Sequence, residues 1–369
     1  MPGDESLLIA DQAPQAFGGE APQAFGREAP QAIGQEAPQA FGAGAPEAGA
    51  ASTARADDSV RGPRFDAPVA QGGYSWWYVD ALSDDGRNGI TIIALIGSVF
   101  SPYYAEMRRR GGGDPLQHVS LNVAVYGEGK RWAMTERFGD AVQRDKSWLE
   151  IGPSSLEWDG DCLTIRIDEI AVPIPKRLRG TVRVHPTALH DKSYQLDSAG
   201  RHHWGPIAPC ARVEVELEKP SVRWSGSGYL DSNRGDEPLE AAFKRWDWSR
   251  AALKRGAAVL YDVTGRDGAG PVLGLRFDPA GGVEPFEAPP FIKLPSTLWR
   301  VERGTRGDPQ GGARVVETLE DTPFYARSVL ETNLLGETAT AMHESLCLDR
   351  FSARWVQRLL PFRIPRALR

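Results

Sequence analysis

The clearest structural signal in the sequence is Arg212-Val213-Glu214-Val215-Glu216-Leu217-Glu218, in which apolar and charged residues alternate without a break. Successive side chains of a β-strand point to opposite faces of the sheet, so this pattern predicts a strand with one buried and one wet face. Residues 163–168 and 181–184 alternate in the same way. The sequence therefore predicts antiparallel sheet as its main structure.

Further β-rich runs follow along the chain from Gly73 onward, separated by turn residues. They cover residues 74–79, 89–100, 121–126, 257–263, 272–277, 297–303 and 338–346. Short strands at this spacing are typical of an antiparallel barrel or sandwich. One helix is expected over Phe351–Leu360, because Phe351, Trp355 and Leu359 recur at i, i+4 and i+8. The predicted fold class is all-β with a short C-terminal helix.

The N-terminal part of the chain has a different composition. The unit APQAFG begins at Ala13 and recurs at Ala21 and Ala37, with APQAIG at Ala29. A segment this rich in Ala, Gln, Pro and Gly cannot bury enough apolar area to offset the entropy of ordering. Residues 1–64 are therefore predicted to be a disordered tail, either a tether or a dispensable expansion.

The rest of the chain is predicted to form two β units in tandem. A proline ends the long strand before it, so Glu218-Lys219-Pro220 is interpreted as a junction between units of residues 65–218 and 221–369. An interface between two such units is a favoured place for a ligand site.

Charge and motif content exclude several classes of function. The 43 Lys and Arg against 49 Asp and Glu give a net charge of −6, which argues against nucleic-acid binding. The sequence contains no P-loop, dinucleotide fingerprint or HExxH motif, and its six His and three Cys show no metal-ligand spacing. We therefore expect chemistry without a metal or other cofactor.

Two short segments combine titratable and aromatic residues at strand spacing. With a period of two, His202 and Trp204 share one face of a strand, and Tyr229 and Asp231 share one face of another. If both faces line one cavity, desolvation favours the protonated form of the Asp231 carboxyl, which then serves as a proton donor. The ring faces of Trp204 and Tyr229 can stabilise a developing carbocation. The alternative interpretation is an aromatic and histidine segment of a core or rim without a catalytic role.

The chain also resembles a known family, the acyclic carotenoid 1,2-hydratases (hydroxyneurosporene synthases) of purple phototrophic bacteria. The resemblance extends from about residue 65 to the end and rests on seven segments: residues 73–81, 89–104, 121–127, 202–206, 228–231, 245–248 and 359–363. It implies two lipocalin-like β units and a cofactor-independent hydro-lyase that adds water across the terminal double bond of neurosporene or lycopene. It also implies a catalytic group drawn from His202, Trp204, Tyr229 and Asp231.

The mechanism that the resemblance implies begins with protonated Asp231, which donates to the less substituted alkene carbon. A tertiary cation forms, shielded by Trp204 and Tyr229, and water captures it. His202 either orients Asp231 or accepts the proton of the water, and the sequence leaves both roles open.

An acyclic carotenoid resides in the bilayer, so peripheral contact with a membrane surface is expected. The run Arg350–Arg369 has six Arg and no acidic residue, interleaved with aromatic residues, as in a basic helix lying at an anionic surface. A terminal helix that packs its apolar residues on a barrel would explain the same pattern equally well. The longest apolar run, Ile90–Phe100, is too short to cross a bilayer, and the N-terminus lacks the basic start of a secretory signal. The expected location is therefore the cytoplasmic side of the photosynthetic inner membrane.

Two other functions compete with hydration. A lipocalin-like carrier would bind a carotenoid or other terpenoid without turnover and would not need an acid beside its aromatic residues. An isomerase or cyclase using the same acid would give a product without added oxygen.

Overall fold

The computed structural model describes residues 61–367. The predicted disordered tail, apart from its last four residues, lies outside the described residues. In the first half of the described chain the strands are β1 (Tyr74–Ser83), β2 (Gly89–Ile96), β3 (Val119–Tyr126), β4 (Arg131–Met134), β5 (Val142–Arg144), β6 (Trp148–Ile151), β7 (Ser154–Trp158), β8 (Leu163–Ile170), β9 (Arg177–Pro186), β10 (Tyr194–Gln195), β11 (His202–Lys219) and β12 (Val222–Gly235).

In the second half the strands are β13 (Phe243–Ala252), β14 (Ala257–Gly265), β15 (Val272–Phe277), β16 (Val283–Pro285), β17 (Phe291–Leu294), β18 (Arg303–Arg306), β19 (Ala313–Asp321), β20 (Tyr325–Leu334) and β21 (Glu337–Cys347). The helices are α1 (Pro102–Arg109), α2 (Leu239–Ala242), α3 (Leu348–Ser352) and α4 (Arg354–Leu359), and short 3₁₀ turns cover Pro115–Gln117, Gly139–Ala141 and Leu360–Phe362. The predicted all-β class with a short helical C-terminus is confirmed.

The strands form three antiparallel sheets within residues 61–367. The first sheet has the order β4-β3-β2-β1-β12-β11-β9-β8-β7-β6-β5, with β10 paired to β11. The second sheet has the order β16-β15-β14-β13-β21-β20-β19, and β17 pairs with β18. The first sheet curls around an apolar core that includes Ile92, Val123, Ile165 and Val213.

A second and larger core lies between the first and second sheets. Residues at alternate positions of β1, including Trp76 and Tyr78, turn to this side and pack with Trp246 and Trp248 of β13. The intervening residues Trp77 and Val79 turn into the core of the first sheet. Strand β1 is therefore buried on both faces, and any site on its outer face lies between the two sheets.

The interpretation of Glu218-Lys219-Pro220 as a junction is wrong as a description of the sheets. Strand β12 follows this segment and pairs with both β11 and β1, so the segment is a hairpin turn inside the first sheet. A proline at a hairpin turn ends one strand without ending the sheet, and the first sheet ends only at Gly235. The division into two separate domains stays a prediction.

Two local predictions also differ from the structure. Residues 297–302, expected as a strand, form a loop that precedes β18. The expected helix over Phe351–Leu360 is broken at Ala353, whose backbone is extended, so it becomes α3 and α4. The break changes the buried face: Phe351 and Val356 are buried, whereas Trp355 and Leu359 are exposed.

Candidate active site

The four predicted site residues lie on neighbouring antiparallel strands. Trp204 of β11 is paired with Asn233 of β12, and Pro206 is paired with Asp231. His202, Trp204, Tyr229 and Asp231 are all buried, as expected from their shared spacing of two. The structure brings three of the four into one hydrogen-bonded group.

That group, here called the acid cluster, consists of Trp204, Tyr229 and Asp231. Asp231 Oδ2 accepts hydrogen bonds from the Tyr229 hydroxyl at 2.7 Å and from Trp204 Nε1 at 2.8 Å. The second carboxyl oxygen, Oδ1, accepts only a long 3.4 Å bond from Asn233 Nδ2. Because Oδ2 already accepts two bonds, Oδ1 is the oxygen that is available to carry a proton.

The Asp231 carboxyl is held in its neutral form. Burial raises its pKa to about 8, and the hydrogen bonds from Tyr229 and Trp204 oppose this rise only in part. The negative charges of Glu344 and Asp80 contribute to the same rise. At neutral pH the group is therefore a carboxylic acid, with a pKa suited to proton donation.

His202 lies apart from this cluster. Its Nδ1 is 2.9 Å from the Tyr74 hydroxyl, and its Nε2 is 3.4 Å from Glu237. His202 is paired with Gly235, four residues beyond Asp231 on β12, which separates the two backbones by roughly 13 Å. Burial lowers the pKa of His202. No hydrogen bond within residues 61–367 joins His202 to Asp231, so the structure does not support a direct orienting contact.

Aromatic rings surround the acid cluster on the side of the second sheet. Tyr78 packs edge-on against Tyr229, with ring centroids 6.1 Å apart, and Trp248 lies 5.3 Å from Tyr229. Trp246 contacts Tyr261, which in turn lies 5.0 Å from Trp204. Tyr78, Trp246 and Trp248 are here called the aromatic wall.

A cavity of about 270 Å³ lies on the other side of this wall. It is mostly apolar, and its lining includes Trp76, Tyr78, Ile93, Leu95, Phe100, Met134, Trp246, Phe324, Leu346 and Leu360. Trp299 and Leu359 also line it and are exposed, so the cavity opens to solvent beside them. None of the four predicted site residues belongs to the lining of this cavity. Tyr78 does line the cavity, and it is paired with Asp231 across β1 and β12.

One side of the cavity is polar and charged. The buried Arg327 guanidinium bonds Glu344 at 2.6 Å and Glu320 at 2.7 Å, and it also contacts the Tyr126 hydroxyl at 2.6 Å. Arg363 adds a bond to Glu320 at 3.1 Å. Arg327, Glu344 and Glu320 all line the cavity.

The sequence reasoning did not identify Tyr78, Glu344 or Arg327 as site residues. A signal for Glu344 exists, because it occupies the face of β21 that otherwise carries Met342 and Leu346. A charged residue between two buried apolar ones on one face indicates a buried partner or a functional site. The sequence pattern does not show that this partner is Arg327.

Comparison with known proteins identifies the family. The profile described as carotenoid hydratase CrtC matches residues 92–369. The acyclic carotenoid 1,2-hydratase of Thiocapsa roseopersicina is 60% identical over 316 residues, covering 85% of this chain and 78% of that protein. The chain belongs to the carotenoid hydratase CrtC family. The resemblance found in the sequence and the predicted enzyme class, a hydro-lyase, are confirmed.

A second relative and a solved structure support the family and the fold. The acyclic carotenoid 1,2-hydratase of Rubrivivax gelatinosus is 54% identical over 308 residues, covering 82% of this chain and 76% of that protein. An AttH-type protein of Nitrosomonas europaea has a similar solved structure, with a TM-score of 0.54, 13% identity and coverage of 77% of this chain and 98% of that one. At this identity the likeness concerns the fold alone, and it confirms the predicted lipocalin-like architecture of the carotenoid hydratase.

Proposed function

We propose that the protein adds water across the terminal 1,2 double bond of an acyclic carotenoid, such as neurosporene or lycopene, and forms a tertiary alcohol. The observation that carries the proposal is an uncharged buried carboxyl group, Asp231, separated by one layer of aromatic rings from an apolar cavity. The two hydratases that share more than half of their aligned residues with this chain support the substrate class.

The first chemical step is proton transfer from Asp231 to the less substituted carbon of the double bond. An alkene is a weak base, so the donor must be a protonated acid in a site without competing water. Asp231 meets both conditions, since it is 3% exposed and has a pKa of about 8. The tertiary cation that forms is stabilised by the faces of the surrounding rings.

The aromatic wall must open for this transfer. Tyr78 and Trp246 line the cavity on one side and contact the acid cluster, or its neighbour Tyr261, on the other. The Tyr78 hydroxyl has no hydrogen-bond partner within residues 61–367, so rotation of this side chain breaks no bond in the protein. We therefore assign to Tyr78 the movement that admits the end of the polyene. Water then captures the cation.

The rest of a long polyene extends out of the cavity, and its exit has the features of a membrane contact. Leu298 and Phe362, each next in sequence to a residue that lines the cavity (Trp299 and Arg363), are 98% and 80% exposed. Trp299 stacks on Trp355 with ring centroids 6.2 Å apart. Leu298, Phe362 and the two tryptophans are here called the cavity rim. Exposed arginines flank the rim, namely Arg300, Arg354 and Arg358. Exposed aromatic and aliphatic side chains among cations are suited to an anionic lipid surface.

Among residues 61–367, none of the helices has the length and apolar character needed to cross a membrane. In the C-terminal segment Trp355 is exposed and Val356 is buried in the core, so packing on the protein leaves the Trp355 side of this segment for the proposed membrane contact.

The reaction is tested with purified protein, lycopene in vesicles and water enriched in heavy oxygen. The expected product is a tertiary alcohol that carries the heavy label. Bound but unchanged lycopene would indicate a carrier, and an altered product without the label would indicate an isomerase or cyclase; either result would refute hydration.

The membrane contact is tested by flotation with vesicles that contain anionic lipid. Replacing Leu298 and Phe362 by Ser should reduce the bound fraction several-fold, because two exposed apolar anchors are removed without loss of core packing. The matched control is Val316→Ser, which changes an apolar residue of β19 that is 55% exposed and lies outside the rim. Equal flotation of all three proteins would exclude the rim as the contact.

A further inference from the structure

Several cavity residues carry buried polar atoms without a partner. Within residues 61–367, no hydrogen bond is made by the Tyr78 and Tyr325 hydroxyls, Asn122 Oδ1 or Trp132 Nε1. All four residues line the cavity. Buried polar atoms nearly always have a hydrogen-bond partner, so a group of unpartnered ones around a cavity indicates ordered water or a polar ligand.

Three carboxylates line the same cavity, and they differ in their remaining capacity to accept hydrogen bonds. Asp321 accepts one bond at Oδ2, from the backbone N–H of Trp299 at 3.2 Å, and its Oδ1 has no partner within residues 61–367. Glu320 uses both oxygens: Oε1 accepts from Tyr126 and Arg327, and Oε2 accepts from Arg363. Glu344 uses only Oε1, which accepts both of its bonds from Arg327, at 2.6 and 3.0 Å. Within the described chain no hydrogen bond reaches Glu344 Oε2, so this oxygen retains its full accepting capacity.

Glu344 lies across the aromatic wall from the acid cluster. It is paired with Trp248 across β13 and β21, and Trp248 contacts both Tyr229 and Tyr78, with ring centroids 5.3 and 5.5 Å apart. Among charged groups, Glu344 has the largest effect on Tyr78, whose pKa is raised well above its usual value by burial first and by this charge second. Tyr78 thus remains a neutral phenol that can donate or accept a hydrogen bond beside Glu344.

We propose that Glu344 and Tyr78 bind the water molecule that adds to the substrate, and that Glu344 accepts its proton. This inference rests on the proposed hydration and adds the second half of the reaction. A lone pair of the water oxygen forms the bond to the tertiary carbon, and one O–H bond breaks, with its electrons staying on oxygen. The proton passes to Glu344 Oε2. Asp231 has then lost one proton and Glu344 has gained one, and exchange with solvent restores both.

The proposed acid and the proposed base differ in the groups that form hydrogen bonds with them. Asp231 receives hydrogen bonds only from neutral donors and stays protonated, whereas Glu344 forms an ion pair with Arg327. Two carboxyl groups held in different environments, one as acid and one as base, are a recurring basis of acid–base catalysis. Arg327 acts here as a positioning residue, because both of its bonds to Glu344 go to Oε1 and leave Oε2 without a partner in the described chain.

The test uses Glu344→Gln in heavy water (D₂O) with lycopene, and it follows two products separately. Alcohol formation should fall by about 100-fold or more, the usual effect of removing a general base. Deuterium should still enter recovered lycopene, because Asp231 continues to form the cation and the cation reverts by losing a proton. In Asp231→Asn both signals should disappear, which distinguishes failure of this inference from failure of the proposed acid.

Tyr78→Phe and Glu331→Gln complete the set. The Tyr78 hydroxyl has no protein partner, so its removal should leave the fold intact while reducing alcohol formation by about tenfold, the value of one hydrogen bond. Glu331→Gln makes the same chemical change as Glu344→Gln, at an exposed carboxylate paired with Arg314, and should not alter activity. Wild-type alcohol formation by folded Glu344→Gln would overturn the inference. Loss of deuterium exchange together with hydration in that variant would also overturn it, since Glu344 would then act before water capture.

Discussion

Asp80 and Asp231 are two buried aspartates on adjacent strands of the first sheet, and both face the second sheet. Asp80 of β1 is paired with Tyr229 of β12, two residues from Asp231. Burial is the largest influence on both groups and raises the pKa of each. They differ in the hydrogen-bond donors that the surrounding strands place beside them.

Asp80 receives a cation. Arg250 of β13, itself buried, donates to Asp80 Oδ1 at 2.5 Å, and its charge opposes the effect of burial on the Asp80 pKa. Asp231 receives only a phenol, an indole and a weak amide bond. Burial alone therefore does not make an aspartate a proton donor. At Asp80 an ion pair between the two sheets stabilises the charged form of the carboxyl group. At Asp231 the hydrogen-bond donors are neutral and leave the acid protonated.

The largest expected effect is on activity. Asp231→Asn keeps the shape of the site and removes the acid, so hydration of lycopene should fall by about three orders of magnitude. Asp80→Asn removes a carboxyl at the same depth but outside the acid cluster, and its folded fraction should hydrate within a few-fold of wild type. The measurement is the initial rate of alcohol formation per folded molecule. Equal losses in both variants would show that the aspartates do not differ in function.

The same two variants should change stability in opposite directions. Asp80→Asn leaves Arg250 buried without a charge partner and should lower the free energy of unfolding by about 3–5 kcal/mol. Wild-type Asp231 binds its proton more tightly when folded than when unfolded, so the stability that it contributes is present below about pH 4 and is lost as the pH rises toward 8. Asp231→Asn lacks this loss, and relative to wild type it should gain about 4 kcal/mol between pH 5 and 8.

Urea unfolding of the three proteins at both pH values checks these signs. Other buried carboxyls titrate equally in wild type and in Asp231→Asn, so they cancel in that comparison. A stability difference between wild type and Asp231→Asn that is independent of pH would mean that Asp231 is already charged at pH 5.

The smallest expected effect is a shift of the pH profile. Wild-type activity should decline above about pH 8 as Asp231 loses its proton. Tyr229→Phe retains the ring but removes a hydrogen bond that lowers the Asp231 pKa, so the alkaline midpoint should move upward by about half to one pH unit. A pH–rate profile, or a carbon-13 titration of the Asp231 carboxyl, measures the shift. A downward movement would contradict the assigned role of the Tyr229 hydroxyl.

Part of the candidate site was predictable because it depends on short-range geometry. A spacing of two along a strand places Tyr229 next to Asp231, and the hairpin that joins β11 to β12 brings Trp204 to the same carboxyl. His202 obeys the same spacing but lies too far along the hairpin to reach Asp231. Spacing identifies a shared face and does not measure distance along it.

The sequence alone determined the alternation of strands, the helical C-terminus, the family and the three members of the acid cluster. The strands, the helix and the pair Tyr229 and Asp231 depend on residues close together in the chain, and a single hairpin adds Trp204. The family shows in several short segments along the chain. Only the tertiary structure decided that Pro220 turns a hairpin, that Arg250 neutralises Asp80, and that Tyr78, Glu344 and Arg327 meet around one cavity. Arg250 and Asp80, like Tyr78 and Glu344, come from strands far apart in the chain. These residues come into contact only because two curled sheets pack against each other, and local sequence patterns do not specify that packing.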